Sequence, residues 1–412
     1  MRAVDDSPAG PGRRWLITVM SSMGHGANDV YWFILPVVLP LMLEHFNLGY
    51  TSAGAVLTTF LLVNAVLAFS WGKMADRFSR PLLIAGGFLA ASGGLMAAGL
   101  TQSFVPFIVC LLFGAAGVSV FHPVIYALMS EGISTNRGRA FGLFEFWGVA
   151  TLAVMVLAIG ALLNLIGWRG VLIATAVPGI VLSGLFFLLR PRLGIGESGP
   201  EAGGKPPERP QKPTRTPRAA ASFFLLCLSN MAVFLTLMAL MNFMPTYFVR
   251  ATGLSPSQAS YATALFFLGA MGTALVSGRL VDRINPLFVY IGAALPLGPL
   301  VLGLSMPLPG WLFAVVLVLL GGCSGAFMPG RNMVFTRFGQ GMGSGQVFGI
   351  LMGISTITHS MSPLLFGFLA ERLSLHIAMR LFAIPSVLGC LVALGLFLID
   401  RREQSSSKPA VA

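Results

Sequence analysis

The sequence predicts an all-α membrane protein with twelve transmembrane helices, arranged as two pseudo-symmetric six-helix bundles. Three observations predict this fold. Of the 412 residues, 56% are hydrophobic and only 10% are charged, and the mean hydropathy is +0.83, which is far from the composition of a soluble globular domain. Twelve apolar stretches are each long enough to cross a bilayer, which needs about 20 helical residues. Short motifs also recur in the two halves of the chain at a nearly constant offset.

The apolar spans are separated by short polar turns, with one long exception. They cover residues 15–43, 51–72, 81–101, 104–130, 140–164, 168–190, 220–249, 257–278, 286–305, 310–335, 345–370 and 377–399. The exception, residues 191–218, is rich in Pro, Gly and charge, which is typical of a flexible linker. The predicted organisation is therefore a cytoplasmic tail (1–12), an N-terminal bundle (13–190), a cytoplasmic linker (191–218), a C-terminal bundle (219–402) and a second cytoplasmic tail (403–412).

The basic residues predict the orientation of the chain. With the N-terminus inside, 22 of the 26 Lys and Arg residues fall on the inner side and 4 on the outer side. This bias follows the positive-inside rule, and it explains the net charge of +12 without a nucleic-acid partner. We expect a monomeric, multi-pass protein of the plasma membrane, in a bacterium the inner membrane, with both termini in the cytoplasm.

An internal repeat relates the two halves. Asp76 and Asp282 lie 206 residues apart, in the segments Gly72–Arg77 and Gly278–Arg283, and Pro123 and Pro329 keep the same offset. Several matches at one offset predict two parallel six-helix repeats. Repeats of this kind place a substrate site near the bilayer midplane, and they transport by alternating access.

The segment Gly72–Arg80 resembles the loop 2–3 signature of the major facilitator superfamily of secondary transporters. Within that superfamily, the pattern His25-x-x-Asn28-Asp29 and the pair His122-Pro123 are similar to fosmidomycin-resistance-type drug exporters. In such a loop, Asp76 is expected to accept hydrogen bonds from a helix N-terminus or to pair with a loop arginine such as Arg137 or Arg139, and to act as a gate latch. The alternative is that the basic residues there only enforce topology. The gating candidates are Gly72, Asp76, Arg77, Arg80, Arg139, Asp282 and Arg283.

Asp29 is the leading functional candidate. It lies in the middle of the first apolar span, where a carboxylate costs about 2.5–3.5 kcal/mol on insertion scales and is rarely retained without a task. His25 is one helical turn earlier on the same face. The pair predicts proton coupling, because desolvation favours the protonated acid. The alternatives are a permanently paired carboxylate and a histidine bonded to a backbone carbonyl. Glu145 is a second proton candidate, unless it reaches the interface or pairs with Arg139.

Further residues are candidate substrate contacts. His122 stands before Pro123 and has the alternative of repairing the helix kink. Arg331 favours an anionic substrate if it faces the cavity, and it has the alternative of extending to the membrane interface. Aromatic and polar residues in the spans suit an adaptable pocket. The predicted substrate-binding set is Asn28, Trp32, His122, Tyr126, Trp147, Asn242, Phe266, Arg331 and His359.

Enzyme activity has little support, because the sequence has no phosphate-binding loop and no metal-ligand spacing. No metal or cofactor is predicted; the predicted partners are a small-molecule substrate, protons and the lipid bilayer. The leading prediction is proton-coupled export of a small amphipathic or anionic compound. The alternative is uptake or facilitated transport of a small organic anion.

Overall fold

The computed structural model describes residues 11–133, 137–193, 217–340, 342 and 344–406. Its regular structure is entirely helical within these ranges. The helices are α1 (Pro11–His45), α2 (Tyr50–Ala75), α3 (Arg80–Leu100), α4 (Phe104–Gly132), α5 (Arg137–Leu188), α6 (Arg190–Leu193), α7 (Pro217–Ala251), α8 (Pro256–Val281), α9 (Pro286–Ala294), α10 (Leu297–Leu304), α11 (Gly310–Phe338), α12 (Ser344–Arg372), α13 (Leu375–Leu381) and α14 (Ala383–Ser406). The predicted all-α membrane class is confirmed.

Eleven helical stretches in the described residues are long and apolar enough to span a membrane. One of them, α5, has 52 residues and consists of two helices joined at Gly167. At 1.5 Å per residue it would be about 78 Å long, whereas a bilayer core is about 30 Å thick. Gly167 has a φ of 65°, a backbone conformation that glycine adopts without strain. The two arms of α5 are therefore separate crossings, which gives the twelve predicted spans.

The ninth and twelfth spans are each divided into two helices. Pro296 separates α9 from α10, because proline has no amide hydrogen to donate and its ring clashes with the preceding turn. Phe382 separates α13 from α14. The structure places helical ends at Pro11, Leu193, Pro217 and Ser406, inside the predicted tails and linker. The rest of those segments, residues 1–10, 194–216 and 407–412, lie outside the described residues.

The chain divides into two compact units. The first comprises Met1–Gly204 and Phe248–Ala264, and the second comprises Lys205–Tyr247 and Leu265–Ala412. In the first unit, α3 and α4 approach so closely that a Cβ on Gly94 would lie 2.5 Å from the backbone nitrogen of Gly114. In the second unit, the backbone of α8 meets Gly321 of α11 in a similar way. Small residues allow such close helix packing in membrane proteins.

Candidate functional site

Asp29 lies between two histidines in the first unit. His25, one turn earlier on α1, places its Nε2 3.3 Å from Oδ2 of Asp29. His122 of α4 places its Nε2 3.8 Å from Oδ1 of the same carboxylate. Spacing along the chain left open whether the histidines converge. The structure brings His25 and His122 together on Asp29, and we call these three residues the Asp29 cluster.

The hydrogen bonding of His25 determines where its proton lies. Its Nδ1 is 2.9 Å from the backbone carbonyl oxygen of Phe144 on α5. A carbonyl oxygen only accepts, so Nδ1 must carry a hydrogen. In a neutral ring, Nε2 would then have a lone pair, and this lone pair would face the carboxylate of Asp29. That arrangement is repulsive unless a proton lies between the two groups, on either His25 or Asp29. The geometry therefore gives His25 and Asp29 a position at which they can share one proton.

The first arm of α5 forms one wall of the Asp29 cluster. The ring of Phe144 stacks on His25 with a centroid separation of 4.0 Å. One turn later stands Gly148, where a Cβ would lie 2.7 Å from Nδ1 of His25 and 3.0 Å from Oδ2 of Asp29. Any side chain at position 148 would therefore displace the cluster. The sequence offered no signal for this requirement, because 49 glycines are spread along the chain.

A second polar contact extends the Asp29 cluster toward the start of α5. The hydroxyl of Tyr126 donates to Oε1 of Glu145 at 3.0 Å, and its ring stacks on His122 at 6.0 Å. Glu145 is exposed, His25 is buried, and Asp29 is about one quarter exposed. The predicted alternative partner of Glu145, Arg139, has a side chain outside the described part of the structure. Tyr126 thus lies between Glu145, an exposed carboxylate, and the ring of His122.

Asn28 and Trp32 lie on α1 beside the cluster and contact each other and α4. With its amide oriented to satisfy both partners, Asn28 donates to the carbonyl oxygen of Val118 at 3.2 Å and accepts from the indole of Trp32 at 3.3 Å. Asn28 is almost fully buried. Trp147 is half exposed and lines a cavity on the other face of α1. Their substrate contacts stay predictions.

The three residues of the Asp29 cluster also offer the donors of a metal site. Each contributes one ligand atom, and the three atoms lie within 4.8 Å of one another. A tetrahedral zinc ion, with bonds of about 2.0–2.1 Å, would hold its ligand atoms about 3.4 Å apart. The separation of Nε2 of His25 and Oδ2 of Asp29, 3.3 Å, matches that spacing, and the separation of Nε2 of His122 and Oδ1 of Asp29, 3.8 Å, is wider.

The second unit holds a different polar group around Phe234 of α7. The guanidinium of Arg331 lies 5.5 Å from the centre of this ring, and the ring of His359 lies 6.3 Å from it. Arg331 is buried, and its Nη1 is 3.5 Å from the hydroxyl of Ser355. We call Arg331, His359, Ser355 and Phe234 the Arg331 cluster. Arg331 and His359, which the sequence predicted as substrate contacts, remain candidates for that role.

Two other predicted contacts in the second unit are buried and contact groups of their own helix. The amide of Asn242 donates to the carbonyl oxygen of Met238 at 2.7 Å. Phe266 is buried and packs edge-to-face on Phe267 at 5.3 Å. Both side chains lie inside the unit, and their substrate contacts stay predictions.

The gating candidates cluster at helix ends. Asp76 ends α2 and is exposed, as are Arg77, Asp282 and Arg283. A Cβ on Gly72 would meet only open space. Arg137 and Arg139, the predicted partners of Asp76, have side chains outside the described residues, so the latch stays a prediction.

Sequence reasoning missed two ion pairs near these ends. Arg80 makes a bidentate pair with Glu131 of α4, with Nη2 donating to Oε1 at 2.7 Å. Arg337 donates to both oxygens of Asp400, at 2.9 and 2.7 Å. Each pair joins an acid at the end of one predicted span to a base on the same predicted side of the membrane. That shared side was the signal available in the sequence.

Comparison with known proteins identifies the family to which these features belong. The sequence model of the Major Facilitator Superfamily matches residues 16–241 and again residues 226–412. The chain is 25% identical over 386 residues to the uncharacterized MFS-type transporter YfnC of Bacillus subtilis, covering 92% of each protein. It is 22% identical over 394 residues to the fosmidomycin resistance protein of Escherichia coli, covering 93% of this chain and 92% of that protein.

A solved structure has the same fold. It is a bacterial homolog of the human lysosomal transporter Spinster, in an inward-facing and unoccupied conformation, and it aligns with a TM-score of 0.77 at 16% identity. The alignment covers 98% of this chain and all of that structure. The likeness therefore extends over nearly the whole chain.

Proposed function

We propose that this chain carries out proton-coupled export of a small amphipathic or anionic compound by alternating access. The chain belongs to the Major Facilitator Superfamily. Membership of the family shows that the chain is a multi-pass membrane transporter of a small molecule and not an enzyme. Similarity to the fosmidomycin resistance protein supports export as the direction. The coupling ion and the substrate class are our inference from the site.

One observation carries the proton coupling: Nε2 of His25 faces Oδ2 of Asp29 at 3.3 Å while Nδ1 of the same ring is held by a carbonyl oxygen at 2.9 Å. The arrangement is favourable with one proton in the Asp29 cluster and repulsive without it. Loss of the proton therefore favours a different packing of α1 against α4 and α5. A protonation change that biases two packings is the element that coupled transport needs.

The route of the proton is part of the same proposal. Glu145 is exposed and accepts a hydrogen bond from Tyr126, whose ring lies on His122. His122 in turn faces Asp29. We assign Glu145 and Tyr126 to the exchange of protons between the cluster and the aqueous phase at the nearer membrane surface. Water would have to bridge the gaps along this route, because no direct hydrogen bond joins Tyr126 to His122.

The topology is likewise proposed. The 22-to-4 distribution of basic residues supports cytoplasmic termini, and it places Glu145 toward the cytoplasm. The bacterial relatives support the inner membrane as the location. We propose a monomer, because each half already contains its own polar cluster within one chain.

A second function, uptake or facilitated transport of a small organic anion, is favoured by the Arg331 cluster. A buried guanidinium over an aromatic ring is suited to a carboxylate, since arginine binds planar anions through paired hydrogen bonds. The two functions differ in direction, and both can use the same two clusters.

The deciding experiment uses inside-out membrane vesicles energised to acidify their lumen, with a fluorescent dye reporting the proton gradient. Amphiphiles, organic anions and phosphonate antibiotics are added one at a time to vesicles with wild type, Asp29→Asn or Glu44→Gln. Glu44 is an exposed carboxylate on the same helix and serves as the matched control. We expect one compound to dissipate the gradient with wild type and Glu44→Gln, and none to do so with Asp29→Asn.

Two results would contradict this proposal. Dissipation that persists in Asp29→Asn would overturn the assignment of the proton to the cluster. If no compound dissipates the gradient while right-side-out vesicles accumulate an organic anion, export is wrong and the uptake function replaces it.

A further inference from the structure

A cavity of about 600 Å³ lies in the first unit, separate from both polar clusters. It is formed by three elements: the first half of α1, the first arm of α5 and the second arm of α5 beyond Gly167. Most of its wall is apolar, and the polar side chains that line it are three hydroxyl residues, Ser22, Thr151 and Thr175. Its volume is within the range of about 300–1,000 Å³ that is common for small-molecule sites.

The rim of the cavity is apolar and exposed. Met23, Leu143, Trp147, Val177 and Val181 line it, and each is 42–56% exposed with the whole chain in place. These residues belong to membrane-spanning helices. Apolar side chains exposed on such helices are suited to contact with lipid hydrocarbon rather than with water. Such a rim suits the entry of a ligand sideways from the bilayer.

The cavity and the Asp29 cluster share two helices. On α5, residues Leu143, Trp147 and Thr151 follow one another at intervals of four and line the cavity. Phe144 and Gly148, which directly follow Leu143 and Trp147 in the sequence, contact His25. The two sets occupy adjoining stripes of one helix. A ligand that moves this part of α5 moves the carbonyl that holds the proton of His25.

We propose that this cavity binds an amphipathic small molecule that enters sideways from the adjoining leaflet, with its apolar body in the cavity and its polar group near the hydroxyls of Ser22, Thr151 and Thr175. The proposal deepens, and for its physiological role rests on, the export function above. Occupancy of the cavity is transmitted to the Asp29 cluster through α5, so that substrate binding and proton release act on the same helix pair.

The test measures binding of N-phenyl-1-naphthylamine, a neutral fluorophore, to purified protein in lipid nanodiscs, by energy transfer from tryptophan. Val181→Phe narrows the cavity mouth. Val154→Phe is the matched control, because Val154 is an equally exposed valine of α5 that does not line the cavity. Ala27→Leu fills the cavity from the α1 side and serves as a second variant if Val181→Phe does not fold. Correct folding is checked by gel filtration and thermal unfolding.

We expect wild type, Val154→Phe and Asp29→Asn to bind the fluorophore, and the cavity variants to bind at least about tenfold more weakly, which corresponds to the loss of one well-buried apolar contact. Binding by Asp29→Asn separates this proposal from the export function, which requires Asp29.

Equal binding by wild type and both cavity variants would overturn the proposal. It would also be overturned if native mass spectrometry found a phospholipid retained by wild type and absent from Val181→Phe, since the occupant would then be a structural lipid. Failure of proton coupling in the vesicle experiment, with fluorophore binding intact, would overturn the export function and leave the binding site standing.

Discussion

The two polar clusters of this transporter differ in the kind of charge that they hold. The Asp29 cluster pairs one carboxylate with two imidazoles, so its net charge changes with each proton that it gains or loses. The Arg331 cluster has a guanidinium and an imidazole around a phenyl ring, and the guanidinium is charged at every physiological pH. A variable charge suits the coupling ion, and a permanent positive charge suits an anionic substrate group.

The difference shows that a symmetric fold carries an asymmetric chemistry. The repeat that relates the halves preserves the loop motifs at Asp76 and Asp282 and the prolines at 123 and 329, which are structural positions. It does not preserve Asp29, since position 235, at the same offset, is a leucine. We infer that the first half holds the group that exchanges the proton and the second half the group suited to an anionic part of the substrate, and the following variants test this division.

The largest effect is expected from Gly148→Ala. The added methyl group would meet His25 and Asp29 at 2.6–3.0 Å and displace them. Displacement of reacting groups by about 1 Å can cost about 100-fold in rate, so we expect proton-coupled transport to fall by about that factor. Substrate flux in proteoliposomes measures it.

Gly142→Ala is the control for this substitution. It lies on the same helix, and its added Cβ would meet only open space. A similar loss in both variants would attribute the effect to helix flexibility rather than to the Asp29 cluster.

Arg331→Gln is expected to have the next largest effect, and only on anionic compounds. A hydrogen bond to a charged partner contributes about 1.5–3 kcal/mol, so affinity for an anion should fall by about 10- to 100-fold, while neutral compounds bind as before. Competition binding with charged and neutral members of one compound series measures it. Equal weakening for both members would contradict the division between the clusters.

Tyr126→Phe is expected to have a smaller effect, limited to proton exchange. It removes the 3.0 Å hydrogen bond to Glu145 but keeps the ring on His122. We expect proton flux to slow by about fivefold, as for the loss of about 1 kcal/mol from one hydrogen bond, with unchanged substrate affinity. Stopped-flow measurement of the pH gradient tests it, and a changed affinity would show that Tyr126 contacts substrate.

The smallest effect is expected from Glu131→Gln, which breaks the bidentate pair with Arg80. Glu131 is almost half exposed, and exposed ion pairs contribute about 0.2–1 kcal/mol. We therefore expect a slight fall in the midpoint of thermal unfolding and full transport activity. A strong loss of transport with normal stability would show that this pair, rather than Asp76, is the gate latch.

Most of the fold was predictable because the bilayer imposes a simple rule on sequence. Every crossing must be a long apolar helix, so the spans, the repeat and the superfamily could be read from patterns along the chain. The break at Gly167 coincides with the turn predicted between residues 164 and 168. The division of the ninth span into two helices was not predicted, although Pro296 indicates a break in that span.

The sequence by itself determined the membrane fold, the twelve crossings and the candidacy of Asp29 and His25, because burial cost and helical spacing act within one segment. Only the tertiary structure decided that His122 joins them, that the carbonyl of Phe144 orients His25, and that His359 lies with Arg331 instead. It also revealed the cavity between α1 and the two arms of α5 and the lack of space for a side chain at position 148. These features depend on which faces of different helices meet, and the apolar pattern of a membrane helix, hydrophobic all round, carries little information about that.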